Sequence, residues 1–144
     1  MATTVQVTFD CADPDRLATF WAEALGYKKQ DPPQGFDSWE SFLAANNVPE
    51  ALWTSRSAIV DPEGNGPRFF FQRVPESKTV KNRLHLDLNI GGGPGTPEHE
   101  RRQRVDAALE RLVRLGATVV RTVEEPMEHF VVMQDPEGNE FCIQ

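Results

Sequence analysis

The chain is poor in cysteine, in net positive charge and in long apolar runs. Its 144 residues include two cysteines, Cys11 and Cys142, too few for a disulfide framework and typical of a reducing cytoplasm. Fifteen Lys and Arg stand against 22 Asp and Glu, and the net charge of −7 argues against nucleic acid or an anionic membrane as partner. No apolar run approaches the roughly 20 residues of a membrane span, and residues 1–9 lack the features of a secretory signal. We therefore expect a cytoplasmic protein.

The sequence does contain an internal repeat. The segment Asp-Pro-Glu-Gly-Asn at residues 61–65 recurs unchanged at residues 135–139. Each copy has the proline, glycine and asparagine that favour turns, and each lies between two strand-like segments. Both copies therefore predict β-hairpins, and a repeated hairpin indicates two related halves.

Each half also begins with a strand that is followed by a helix. A strand over 5–11 precedes a helix over about 14–25, with Asp13 as N-cap and Gly26 as the C-terminal stop. A strand over 83–90 precedes a helix over about 97–115, with Thr96 as cap and Gly116 as stop. About three strands complete each half. Helix signals at about 38–53 indicate an insertion in the first half.

Side-chain alternation gives the predicted sheet two different faces. One face is apolar enough to pack beneath the two helices. The other is polar and, in these strands, free of lysine. It is either simply exposed, as in many antiparallel sheets, or it lines a cleft with converging polar groups, as small-molecule sites do. The candidate cleft residues are Gln6, Thr8, Gln72, His85, Asp87 and Glu140.

These segments together resemble the vicinal oxygen chelate superfamily, which includes glyoxalase I, bleomycin-resistance proteins and extradiol dioxygenases. Residues 69–75, 81–87 and 133–142 look like its glyoxalase-like branch from actinobacteria. The resemblance covers essentially the whole chain. It implies an α+β fold of two βαβββ modules, 1–78 and 79–144, that form one domain. The implied sheet is curved, eight-stranded and mostly antiparallel, with helices on its outer face.

The resemblance also implies a metal position. Members with metal-dependent activity place four ligands, typically His or Glu, on the first, fourth, fifth and eighth strands. Glutamine is a poor ligand for transition metals, so a chain with glutamine at two of these positions has a degenerate site. The corresponding positions here are Gln6 (with Thr8 as the neighbouring choice), Gln72, His85 and Cys142.

His85 is the strongest single candidate in this set. It acts as a metal ligand or general base near neutral pH, or it is a structural histidine bonded within the sheet. A usable metal set also needs Glu140, Cys142 or Asp87. We predict His85 and Glu140 as the catalytic and metal-ligating pair, with zinc, iron, manganese or nickel as the ion. In the alternative, Glu140 is a rim residue and Cys142 an inert core residue.

Aromatic residues in and near the insertion form a second group of candidates. Trp39 and Trp53 are predicted to wall the cleft by stacking on a flat ligand. Alternatively, they pack with Phe36 as the insertion's own small core. Beyond Arg83, no anion-binding cluster is expected on the polar face.

Two functions follow from these observations. The glutamines at ligand positions favour metal-free binding of a small organic ligand, by a protein of the sequestering or resistance type. The alternative is a metal-dependent lyase, isomerase or dioxygenase of the glyoxalase type. For both, the resemblance implies a homodimer, because modules in this superfamily often pair across chains.

Overall fold

Two compact units make up the chain in the computed structural model, which describes residues 1–125 and 128–144. Unit 1 is Met1–Ser77 and unit 2 is Lys78–Gln144. Each unit has the element order βαβββ around a four-stranded sheet, and unit 1 carries an additional helical segment before its third strand. The eight strands are thus divided into two sheets of four. The predicted α+β fold of two βαβββ modules is confirmed.

Unit 1 builds its sheet in the order β1-β4-β3-β2, with β1 and β4 parallel and the other pairs antiparallel. The additional segment, α2 followed by a short 3-10 helix at Glu50–Leu52, confirms the predicted helical insertion. The elements are β1 (Val7–Cys11), α1 (Pro14–Leu25), β2 (Lys28–Lys29), α2 (Trp39–Ala45), β3 (Arg56–Val60) and β4 (Phe69–Arg73).

Helix α1 fixes which side of this sheet is polar. The Asp13 side chain accepts a hydrogen bond from the Arg16 amide at 3.2 Å, and Gly26 ends the helix with φ 70°, a conformation that costs glycine little. Leu17 and Trp21 are fully buried. Trp21 stacks near Phe69 of β4, with ring centroids 6.5 Å apart. Alternate residues on the strands therefore point to the opposite, polar side.

Unit 2 repeats the same strand order as β5-β8-β7-β6, again with a parallel first pair, β5 and β8. Val105, Ala108 and Leu112 are the buried residues of α3, which packs against β7 and β8. The elements are β5 (Leu86–Leu88), α3 (Glu98–Arg114), β6 (Thr118–Glu125), β7 (Glu128–Gln134) and β8 (Glu140–Ile143). Across residues 1–125 and 128–144, no helix combines the length and apolar character needed to cross a membrane.

Two predictions for unit 2 are wrong in detail. The strand expected over 83–90 is limited to Leu86–Leu88, because β5 pairs only with β8, which has four residues. Thr96 does not cap α3: its hydroxyl donates to the Gly93 carbonyl at 2.9 Å, and the helix begins after Pro97. In unit 1, β1 begins at Val7 and not at the expected residue 5. Its partner strand β4 begins at Phe69, which pairs with Val7, so the ladder starts there.

The repeated segment forms the same turn twice. The Asp61 carboxylate accepts hydrogen bonds from the amides of Glu63 at 2.9 Å and Asn65 at 3.0 Å. Asp135 accepts from the amides of Glu137 and Asn139 at the same distances, 2.9 and 3.0 Å. The strands on either side pair antiparallel, β3 with β4 and β7 with β8. Both predicted hairpins are confirmed.

Candidate functional site

Three side chains with metal-binding atoms lie together on the polar side of the unit 2 sheet. Asp87 of β5 is the register partner of Cys142 on the parallel strand β8, so the two side chains point to the same side. His85 precedes Asp87 by two residues and shares that side. One ligand atom from each of the three lies within 4.8 Å of the others. We call His85, Asp87 and Cys142 the donor cluster.

The donor cluster is open at one end and closed at the other. The side chains of His85 and Asp87 are 51% and 48% exposed, and the imidazole Nε2 lies 3.4 Å from an Asp87 carboxylate oxygen. Cys142, by contrast, is 6% exposed. A small molecule or ion can therefore reach the cluster from the His85 and Asp87 side while the thiol lies beneath it.

The thiol of Cys142 is held in its protonated form. Burial raises its pKa above the ordinary value for cysteine, and the negative charge of Asp87 together with the thiol's hydrogen bond to that carboxylate raises the pKa further. Because only the thiolate is a strong metal ligand, a metal ion has to displace this proton when it binds.

Glu140 lies on the same side of β8, two residues before Cys142, but its carboxylate forms an ion pair outside the donor cluster. Its carboxylate binds the Lys81 ammonium at 2.5 Å, and this hydrogen bond lowers the pKa of Glu140. Glu140 is therefore ionised near neutral pH and is already paired with a cation. Its predicted role as a metal ligand stays a prediction, and in that role a metal ion competes with the Lys81 ammonium for the carboxylate.

In unit 1, the two predicted glutamines make hydrogen bonds to other side chains of that unit. The Gln72 side-chain amide donates to Asp10, its register neighbour on β1, at 2.7 Å. The side-chain oxygen of Gln6 accepts a hydrogen bond from Arg68 at 2.8 Å. Thr8 is exposed and lies beside Phe70 in the sheet register. Among these, the Gln6 oxygen already has a cationic donor, which disfavours Gln6 as a metal ligand.

Arg68 is a polar-face residue that the sequence pattern did not single out. It precedes β4, but its carbonyl accepts the Val7 amide hydrogen bond at 3.0 Å, so the β1–β4 ladder includes it. Alternation then places Arg68, Phe70 and Gln72 on one side. Arg83 was the only polar-face cation singled out from the sequence, and the β1–β4 ladder adds Arg68. Counting back from Gln72 in steps of two reaches Phe70 and then Arg68. Arg68 was missed because the expected strand begins at Phe69, one residue later.

The aromatic residues of the insertion contact one another and the nearby backbone. The ring centroids of Trp39 and Phe42 are 5.7 Å apart, and those of Phe36 and Phe42 are 5.2 Å apart. The indole N–H of Trp39 donates to the Gln30 carbonyl at 2.8 Å, and that of Trp53 to the Val48 carbonyl at 2.9 Å. These contacts favour the alternative of a small local core, and stacking on a ligand stays a prediction.

Comparison with solved structures identifies the fold. A glyoxalase/bleomycin resistance protein/dioxygenase family enzyme from Burkholderia phytofirmans PsJN is 17% identical, with a TM-score of 0.59 over 99% of this chain and 97% of that one. A glyoxalase-related enzyme from Fulvimarina pelagi is 16% identical, with a TM-score of 0.61 over 99% and 87%.

A third similar structure is the fosfomycin resistance protein FosX from Listeria monocytogenes, a mutant solved in complex with Mn(II) and 1S,2S-dihydroxypropylphosphonic acid. It is 9% identical, with a TM-score of 0.61 over 100% of this chain and 90% of that one. No curated protein matches the chain. At these identities the structures establish a shared fold, which has hosted both enzymes and resistance proteins.

The sequence itself establishes the family. The profile described as "Glyoxalase-like domain" matches residues 6–144, nearly the whole chain, including both copies of the repeat and every residue of the donor cluster. This agrees with the resemblance to the vicinal oxygen chelate superfamily that the repeat indicated. The chain belongs to the Glyoxalase-like domain family.

Proposed function

We propose that the protein binds a small organic ligand on the polar side of its sheets, with a metal position reduced to the donor cluster of unit 2. The observation that carries this proposal is the convergence of His85, Asp87 and Cys142 within 4.8 Å. The two glutamines at the remaining family positions support it, because both make hydrogen bonds to other side chains of unit 1.

The chemistry of the donor cluster fits a divalent ion of the zinc type. Imidazole nitrogen, carboxylate oxygen and cysteine sulfur are all zinc ligands, and three protein ligands are the usual number where a fourth position is left for water or a ligand. The ligand atoms already lie within 4.8 Å of one another and would draw closer together around an ion. When bound, such an ion supplies Lewis acidity that polarises an oxygen of the ligand.

The protein side chains have separate roles around that position. Asp87 accepts the hydrogen bond of the Cys142 thiol, and its carboxylate lies 3.4 Å from the His85 ring. The imidazole is half exposed, so an ion that it binds would face solvent. Glu140, held by Lys81, keeps a negative charge at the rim of the cluster.

Titration with Co²⁺, a spectroscopic substitute for zinc, tests the metal position. We expect one Co²⁺ per chain and a charge-transfer absorption that reports a cobalt–thiolate bond. C142A should lose that absorption. C11A is the matched control, because Cys11 is also a buried free cysteine, on β1 of unit 1. Absence of stoichiometric binding to wild type, or an unchanged spectrum in C142A, would show that the cluster does not bind metal.

A metal-dependent lyase, isomerase or dioxygenase is the second candidate function. The donor cluster favours it, because an ion held by His85, Asp87 and Cys142 at a position open to solvent can act as a Lewis acid on a bound substrate. The two functions differ in what EDTA removes. Ligand binding that persists in EDTA, measured by thermal shift, supports the sequestering function, whereas turnover abolished by EDTA and restored by metal supports the enzyme.

We also propose that the protein is a homodimer and that it is most similar to the actinobacterial branch of the family. Both proposals depend on the resemblance of the sequence to its superfamily. Light scattering on the purified chain at micromolar concentration is expected to give twice the 16.2 kDa mass of one chain. A mass of one chain at that concentration would contradict the dimer.

A further inference from the structure

We propose that Arg68 is an anchor for a carboxylate, so that the ligand class of this protein is small, flat organic acids. The inference rests on the proposed ligand-binding function and names the class of ligand. It is carried by the way the Arg68 guanidinium is held on the polar side of unit 1. All the residues that hold or adjoin it belong to that unit.

The guanidinium is fixed in place by two neutral amides. Its Nε donates to the side-chain oxygen of Gln30 at 2.7 Å, and its Nη1 donates to that of Gln6 at 2.8 Å. Its central carbon lies 5.2 Å from the centroid of the Phe70 ring, which supports the cation from below. Three contacts from three segments of the chain therefore define the orientation of one side chain.

The positive charge of Arg68 is not neutralised by these contacts. In the described part of the chain, no carboxylate forms an ion pair with Arg68, and its Nη2 donates no hydrogen bond. Arg102 on α3 shows the contrast, since it pairs with Glu98 at 3.1 Å and Glu124 at 3.3 Å. In a chain of net charge −7, an oriented guanidinium without an acidic partner is available to an anion from solution.

The geometry selects a carboxylate on a flat group. An arginine presents its N–H groups in a plane, which matches a carboxylate and forms short, charge-assisted hydrogen bonds. The partly buried Phe70, whose ring lies under the cation, is the register partner of the exposed Thr8, so an apolar ring and a residue with a hydroxyl share the polar side with Arg68. Because the guanidinium is already oriented, binding orders few additional groups and loses little conformational entropy.

The same contacts could instead serve only to tie β1 to the end of β2. In that case Arg68 contributes to stability and has no affinity for anions. A test must therefore measure binding as well as folding, and it must compare Arg68 with another arginine of unit 1 that carries the same charge.

The probe is benzoate, compared with the uncharged benzamide and with inorganic phosphate, by calorimetry and by NMR. Wild type should bind benzoate with shifts confined to Arg68 Nε–H, Thr8 and the side-chain amides of Gln6 and Gln30. R68Q should bind benzoate about tenfold more weakly, as loss of a charged hydrogen bond implies. R16Q is the control, since Arg16 is an exposed arginine of α1, and it should bind as wild type does.

Three results would overturn the inference: no saturable benzoate binding by wild type, equal affinity for benzamide, or unchanged affinity in R68Q. Tighter binding of phosphate than of benzoate would overturn the assignment to flat carboxylates. If R68Q does not fold, the shift at Arg68 Nε–H in wild type still decides the matter. Co²⁺ binding by R68Q separates the two proposals, because the donor cluster lies in unit 2 and should keep its absorption.

Discussion

At the scale of single residues, the two cysteines differ in their neighbours and not in their burial. Cys11 and Cys142 are 4% and 6% exposed. The Cys11 thiol donates to the backbone carbonyl of Gln72 at 3.4 Å, whereas Cys142 lies beside the carboxylate of Asp87 and near the imidazole of His85. The second environment offers two further donor atoms, from His85 and Asp87, to a metal ion that the sulfur binds.

The protonated thiol makes metal affinity depend on pH. Because the pKa of Cys142 is raised, the thiol keeps its proton across the neutral range, and binding of Zn²⁺ releases it. Affinity should therefore rise by about tenfold per pH unit across the neutral range, as expected for the release of one thiol proton. Calorimetry or chelator competition from pH 7 to 8.5 measures this slope. C11A should keep the slope, and a pH-independent affinity in wild type would contradict the thiolate.

Arg68 shows what sequence reasoning misses at this scale. Its position in the alternation is visible in the sequence, but its importance depends on Gln6 and Gln30, which come from distant parts of the chain. In the same way, Lys81 pairs with Glu140 across 59 residues. Contacts of this kind form only once the chain folds. The residue type of Glu140 alone therefore indicated a metal role, and its pairing with Lys81 was not foreseen.

At the scale of elements, the turns of the repeat are held by one aspartate each, in different surroundings. Asp135 is 3% exposed, and its carboxylate also accepts the Asn139 side-chain amide at 2.8 Å. Replacing it removes the acceptor of three part-buried hydrogen bonds. D135A should therefore lower the free energy of unfolding by about 2–4 kcal/mol, measured by urea denaturation. D61A should cost less, and an equal or larger cost for D61A would contradict the role of burial.

The pH dependence of these turns follows from Asp61. Backbone hydrogen bonds, that of Glu63 foremost, lower the pKa of Asp61 below its ordinary value. A lowered pKa means that the stabilisation is present above the unfolded-state value, about 3.9 for aspartate, and is lost as pH falls through the folded-state value. The stability difference between wild type and D61A should therefore shrink below about pH 4.

Helix α1 ends where a glycine permits it to end. Gly26 has φ 70°, and a Cβ built there meets no atom within 4 Å, so only backbone strain opposes a side chain. G26A should destabilise the protein by about 1–2 kcal/mol. G93A is the matched control, because Gly93 is equally uncrowded and has no positive φ. A thermal melt in which both variants behave alike would contradict this account of the helix end.

The elements that the sequence predicted well are those with local signals. Asp13, Pro14 and Gly26 mark both ends of α1 within a few residues, and the structure confirms them. The length of β5 is set by its partner β8, from a segment more than 50 residues away. Local chemistry therefore predicted the helix boundaries of unit 1 and the hairpins, and overestimated a strand whose pairing is distant.

At the scale of the whole molecule, fold and function are separate conclusions. The repeat predicted two related halves, since each copy marks the same hairpin, and the strand and helix signals with the family resemblance gave the βαβββ order. The similar structures, at 9–17% identity, include both enzymes and resistance proteins. The function of this chain must therefore be inferred from its own residues. The donor cluster gives the unit 2 sheet side chains that can bind a metal, which a purely structural sheet does not need.

The central claim is that a divalent ion binds to unit 2 through nitrogen, oxygen and one sulfur. X-ray absorption spectroscopy of the zinc-loaded protein tests it most directly. We predict one Zn–S distance of about 2.3 Å with the remaining ligands at about 2.0–2.1 Å, and loss of the sulfur contribution in C142A. A zinc site with nitrogen and oxygen ligands alone in wild type would contradict the account.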